Sequence, residues 1–172
     1  KEMNFKMNII LHEPEIPQNT GNIGRTCVAT GTSLHLIEPL GFKIDDKSLK
    51  RAGMDYWKDL DVHYYTNFQD FLNKNPNANI YMATTKALNT YSDIKFKDDD
   101  FIMFGSEGSG IPEEILLHYK DNSIRIPMLE QYRSLNLSNS VAIVLYEALR
   151  QNSFKGCQME GHLHRHSWSE AE

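Results

Sequence analysis

The sequence predicts an α/β domain whose mostly parallel sheet is flanked by helices. Short apolar runs alternate with helical patterns along nearly the whole chain. The length of 172 residues suits one domain with a single core. Loops rich in Gly, Ser, Asn and Pro follow three of the apolar runs, where an open α/β sheet binds its ligands.

Five runs read as short buried strands: 7–11, 34–38, 79–84, 101–105 and 123–127, with "IYMATT" and "FIMFG" the clearest. Helices are expected over 20–30, 46–52, 67–74, 112–119 and 138–153. In the first, Ile23, Cys27 and Thr30 form the inward stripe, and Arg25 points elsewhere, about 200° round from Ile23. Pro112 suits the first position of its helix, with Glu113 and Glu114 in the first turn where the helix dipole favours acid. The last helix carries an apolar stripe of Val141, Val144, Leu145, Ala148 and Leu149, with Ser138 as its expected N-cap. Residues 1–157 therefore form the domain, and 158–172 a tail that fits no core pattern. Its alternating His162, His164 and His166 suit a degraded purification tag, a vector scar or a native tail.

Composition excludes several classes. No stretch approaches the ~18 apolar residues of a membrane span, and no secretory signal opens the chain. Cys27 and Cys157 lie far apart without metal-ligand spacing, so a reduced cytoplasmic protein without a metal is expected. The net charge of −5 argues against indiscriminate nucleic-acid binding. Basic residues nevertheless cluster, with Lys43, Lys47, Lys50, Arg51 and Lys58 in one segment and Arg125, Arg133, Arg150 and Lys155 in another. Such patches are either solvated surface or phosphate contacts.

The glycine loop "GSEGSGIP" spaces its glycines as G-x-x-G-x-G, which is neither a dinucleotide fingerprint nor a Walker loop. No nucleophile triad stands at suggestive positions. These patterns leave a cofactor read by backbone groups and small polar side chains rather than one anchored by phosphate. The remaining concentration of turn chemistry is "PEIPQNTGNIGRTCVATG", which surrounds Arg25 with Gly, Asn and Pro as a helix begins.

Together, "NTGNIGRT", "FGSEGSGIP" and "IPMLEQYRSLNLSNSVAIVLYEALRQ" resemble the three motifs of the SpoU-type SPOUT RNA ribose 2'-O-methyltransferases. The segments "LHEPEIPQNTGN", "LHLIEPLGF" and "RAGMDYW" resemble its short tRNA (cytidine/uridine-34) branch, and the likeness covers about residues 7–155. The resemblance implies a C-terminal trefoil knot, a homodimer, S-adenosylmethionine as cofactor and a tRNA anticodon stem–loop as substrate. It places the cofactor at Ala83, Gly105, Ile126, Met128, Ser134 and Leu135, and the chemistry at Asn19, Arg25, Glu107 and Asn136. Glu107 is expected to hold Arg25 or the substrate ribose. Arg25 is expected to grip an RNA phosphate and stabilise charge on the ribose oxygen, since a guanidinium stays protonated. Lys43, Lys47, Arg51 and Arg133 are expected to contact tRNA, and the helices over 20–30 and 138–153 to lie at the dimer interface. The alternatives are methylation of another tRNA or rRNA site, or a non-catalytic RNA-binding dimer.

Overall fold

The computed structural model describes residues 5–45, 47, 51 and 55–172. The helix expected over 46–52 falls mostly outside them. Seven strands, β1 (Asn8–His12), β2 (Ser33–Ile37), β3 (Val62–Tyr65), β4 (Ile80–Ala83), β5 (Asn89–Thr90), β6 (Phe101–Phe104) and β7 (Ser123–Arg125), form one sheet. Its order is β3-β2-β1-β6-β4-β7-β5, and every pairing in it is parallel. Among the described residues, four α-helices pack around it: α1 (Pro17–Thr30), α2 (Phe68–Lys74), α3 (Glu113–Leu116) and α4 (Leu137–Gln151).

Strand periodicity builds two cores. Ile9, Leu11, Leu34, Leu36, Ile102 and Phe104 face one side, where α1 supplies Ile23 and Cys27 and α4 supplies its expected stripe from Val141 to Leu149. Ile10, Ile37, Phe101 and Met103 face the other, against Phe71 of α2 and the partly buried Ile115 and Leu116 of α3. Central parallel strands are covered on both faces, which is why they read as continuous apolar runs.

Several boundaries differ from expectation for physical reasons. Helix α1 begins at Pro17 rather than Thr20, because proline is tolerated in a first turn that needs no intrahelical N–H. Pro112 precedes α3 with extended geometry (ψ 136°), and that helix stops after one turn instead of running to 119. The N-cap of α4 is Asn136, whose side chain accepts from Ser138 N and Asn139 N, so Ser138 is a donor within the cap. Strands β3 and β5 escape a search for apolar runs. The first is an edge strand with exposed His63 and Tyr64, and the second has two residues. Residues 158–172 are exposed throughout, with one 3-10 turn at Trp168–Glu170 capped by Ser167.

A polar pin runs across β1, β2 and β3. Buried His35 lies between Asn8, whose Oδ1 is 3.1 Å from Nε2, and the Tyr65 hydroxyl, 2.8 Å from Nδ1. Asn8 donates through Nδ2 to Asp99, so its oxygen accepts and Nε2 carries the ring proton. The ring stacks on His63 at 4.9 Å. Burial, reinforced by repulsion from His63, pushes the His35 pKa down to about 3. The unfolded chain binds a proton below pH 6.5 that the folded chain refuses, so stability falls as pH drops from 6.5 toward 3. His35→Gln is expected to lose less stability than the parent protein between pH 7 and about pH 5 in urea unfolding. An equal loss would assign that slope to other groups.

Candidate active site

The carboxyl ends of β4, β6 and β7 open on a cavity of about 580 Å³. Each wall comes from a different loop. The end of β4 contributes Ala83 and the following Thr84–Lys86, the loop after β6 contributes Gly105–Ile111, and the segment after β7 contributes Ile126, Met128 and Arg133–Leu137. Ala83, Gly105, Ile126, Met128, Ser134 and Leu135 all line it, as do Asn19, Glu107, Asn136 and Arg133. Arg25 does not line it, nor do Lys43, Lys47 or Arg51, which are exposed outside it.

The glycine loop folds back on itself. Gly110 N donates to Ser106 O at 2.9 Å, and Ser109 N donates to Ser106 Oγ at 3.2 Å. A Cβ on Gly105 would stand 2.0 Å from the Gly110 carbonyl carbon and 2.2 Å from Ile111 N, so only glycine permits this backbone approach. Gly110 has φ +69°, the left-handed turn that closes the loop.

A chain of hydrogen bonds then joins the three motif segments. Helix α1 begins at N-cap Ile16, whose side chain cannot accept a hydrogen bond. Glu107, from the glycine loop, accepts from the two N–H groups that lead into the helix, Glu15 N at 2.8 Å and Ile16 N at 3.2 Å. Asn19 Nδ2 also donates to Glu107, at 3.4 Å, while Asn19 Oδ1 accepts from Asn136 Nδ2 at 3.2 Å. Asn136 Oδ1 in turn caps α4 through Ser138 N at 2.9 Å and Asn139 N at 3.3 Å. Glu107 thus holds the start of α1 rather than Arg25, a correction that follows from the uncapped helix needing an anion at its positive end.

Arg25 sits six residues beyond Asn19, about 9 Å along α1. It is exposed and, among the described residues, makes no hydrogen bond or ion pair. The Tyr56 hydroxyl, which donates to Gly21 O on the same helix, lies within its field. Burial raises the Tyr56 pKa against the opposing pull of Arg25. Sequence reasoning missed Lys86, which lines the cavity and pairs with Glu113 Oε1 at 3.4 Å. A lone lysine in "TTKALNTYS" carries no spacing signal of its own. No cluster of potential metal ligands occurs among the described residues, and no helix there is long and apolar enough to cross a membrane.

Residues 6–146 match the SpoU rRNA methylase family. The chain belongs to that family. A Geobacillus stearothermophilus relative is 50% identical over 153 residues, 87% of this chain and 98% of its own. The tRNA (cytidine(34)-2'-O)-methyltransferase of Saccharophagus degradans is 46% identical over 150 residues, 87% of this chain and 97% of its own. A solved structure described as giving insights into 2-OH methylation of C/U34 on tRNA superposes with a TM-score of 0.81 at 39% identity, covering 87% and 97% of the two chains. An rRNA methyltransferase from Sinorhizobium meliloti, solved with AdoMet bound, gives 0.73 at 26% identity, covering 84% of this chain and 56% of that one.

The glycine positions in this SpoU-family site make a direct test. Gly105→Ala is expected to lower stability by about 1–3 kcal/mol or more, because backbone must move. Gly108→Ala meets only the flexible Glu15 carboxylate, at 3.3 Å, and is expected to melt near the parent temperature. Equal melting temperatures for the two variants would contradict the loop geometry.

Proposed function

We propose that this chain transfers a methyl group from S-adenosylmethionine to the ribose 2'-oxygen of wobble nucleotide 34 in tRNA. The observation that carries the reading is the convergence of three motif segments, distant in sequence, on one cavity tied to the start of the helix that bears Arg25. The names of full-length relatives support the choice of tRNA and of position 34.

The cavity suits the cofactor. Its size falls within the ~300–1,000 Å³ of small-molecule sites. Ile124, Ile126, Met128 and Leu135 offer apolar walls for a flat adenine ring. The glycine that a Cβ would block lets backbone N–H and C=O groups approach a ligand closely. Ser134 and Asn136 offer polar atoms for the amino-acid end. The donor brings its own activated methyl on a sulfonium, so no metal is required of the protein.

The remaining work falls to the protein. It must align the 2'-oxygen for in-line attack, exclude water and stabilise the charge that develops as the hydroxyl loses its proton. The planar guanidinium of Arg25, a donor with no acceptor, suits the ribose oxygen and an adjacent phosphate rather than proton abstraction. Because Arg25 lies outside its own cavity, we assign this role to a homodimer in which faces of α1 and α4 pair between copies. Exposed Ile143 and Tyr146 on α4, which packs beside α1, support that face as the contact. The late loops are inferred to thread as the trefoil knot of the family, and the protein to act in the cytoplasm. Lys43, Lys47, Arg51 and Arg133 extend the basic surface for the anticodon stem–loop.

Labelled methyl transfer to total tRNA, followed by nucleoside mapping, is expected to find 2'-O-methylation at position 34. Methyl on a base or at another nucleotide would refute the reading. Arg25→Ala is expected to cut turnover by roughly 100-fold or more while cofactor affinity in calorimetry stays within about two-fold. Parallel loss of both would move Arg25 from chemistry to pocket architecture. Neutralising Lys43, Lys47, Arg51 and Arg133 together is expected to weaken tRNA binding and flatten its salt dependence. An unchanged slope would place the RNA elsewhere.

A further inference from the structure

A second, shallower cleft of about 430 Å³ lies in the loop beyond the carboxyl end of β2, beside Tyr64 of the edge strand β3, separate from the cavity described above. Glu38, Phe42, Lys43, Asp45 and Tyr64 are among its walls. Tyr64 is 41% exposed, an aromatic surface left open on an edge strand.

Two links connect this cleft to the site. Its floor segment is pinned to the loop that opens α1. Gly41 N donates to Pro14 O at 2.9 Å, and a Cβ on Gly41 would stand 2.7 Å from the Glu15 backbone. Glu15 N in turn donates to Glu107 at the rim of the cavity. The second link is Trp57. Its ring lies 3.0 Å from where a Cβ on Gly24 would stand, one residue from Arg25. Its indole also lies near enough to the Tyr64 hydroxyl to act on that phenol. Burial raises the Tyr64 pKa, the Trp57 indole opposes this, and Glu38 adds to it, so the phenol stays uncharged at neutral pH.

We propose that the cleft holds an unpaired nucleobase of the substrate RNA, a neighbour of the methylated nucleotide, stacked on Tyr64 and Phe42 with a flanking phosphate at Lys43. The proposal rests on the RNA methyl-transfer reading above and adds how the loop is held. Proteins read RNA loops by splaying unstacked bases onto aromatic side chains, and every base has a π face to offer. Strand β1 alone separates β2 from β6, about 10 Å in the hydrogen-bonding direction. A nucleotide or two of open loop can span that distance. The Glu38 carboxylate beside the stacking face can accept from an exocyclic amino group, which favours an amino-bearing base. Trp57, packed against Gly24 beside Arg25 and near Tyr64, ties the cleft to the helix that bears Arg25.

The test measures binding of an anticodon stem–loop RNA by fluorescence anisotropy across a salt series, with S-adenosylmethionine affinity measured in parallel. Tyr64→Phe is expected to bind like the parent protein. Tyr64→Ala is expected to weaken RNA binding about 10-fold, leaving cofactor affinity and the salt slope unchanged, since no phosphate contact is lost. RNAs in which each loop base is replaced in turn by an abasic site complete the cycle. At one position the abasic RNA should weaken binding to the parent protein and cost Tyr64→Ala nothing further. Parent-like binding by Tyr64→Ala, or equal losses in both proteins at every abasic position, would overturn the cleft and leave the methyl-transfer reading standing. Failure of the parent protein to bind any such RNA would overturn both. If Tyr64→Ala melts early, Tyr64→Leu keeps apolar bulk without a flat face and is held to the same outcomes.

Discussion

The carboxylate of Glu107 at the start of α1 is the interaction on which the site depends. That helix enters through Ile16 and Pro17, which offer no side-chain acceptor for its first N–H groups. Glu107, in a loop about ninety residues later between β6 and α3, instead accepts from Glu15 N and Ile16 N, which lead into the helix. A negative group at a helix amino end is favoured by the helix dipole as well as by the hydrogen bonds it receives. Asn19 and Asn136 extend the same chain to the cap of α4. The cavity wall, the helix bearing Arg25 and the last long helix therefore share one set of polar contacts, and displacing any of them exposes the others.

The charge distribution follows a related logic. A chain of net charge −5 has to present its cations locally if it handles a polyanion. Arg25, Lys43, Lys47, Arg51 and Arg133 are all exposed, and among the described residues Arg25 has no ion pair. Other cations, such as Arg150 with Glu147 and Lys74 with Asp70, are neutralised within their own helices. In the proposed reading the RNA meets the first group while the second serves solubility and helix stability.

Much of this architecture was legible in the sequence because central parallel strands must be apolar on both faces. "NIIL" and "FIMF" announced themselves that way. The edge strand β3 did not, since exposed His63 and Tyr64 break its pattern. The cavity residues were found through their likeness to family motifs. Propensity alone would not have joined Ala83 to Leu135, which depend on sheet order for their meeting. The roles of Glu107 and of the α4 cap were not legible. A cap supplied from a distant loop leaves no local spacing, and Asn136 and Ser138 are equally plausible caps until backbone geometry decides. Arg25 was correctly read as facing away from the core, but its place outside its own chain's cavity required coordinates.

In the proposed methyl transfer, the polar chain from Glu107 through Asn19 to Asn136 acts as one unit. A double-mutant cycle on Asn19→Ala and Asn136→Ala, read as kcat/KM for methyl transfer to tRNA, measures it most directly. The account predicts strongly non-additive losses, with a coupling of about 0.5–3 kcal/mol. Losses that simply add would mean the two asparagines serve separate ends and that the motif segments are neighbours without being linked.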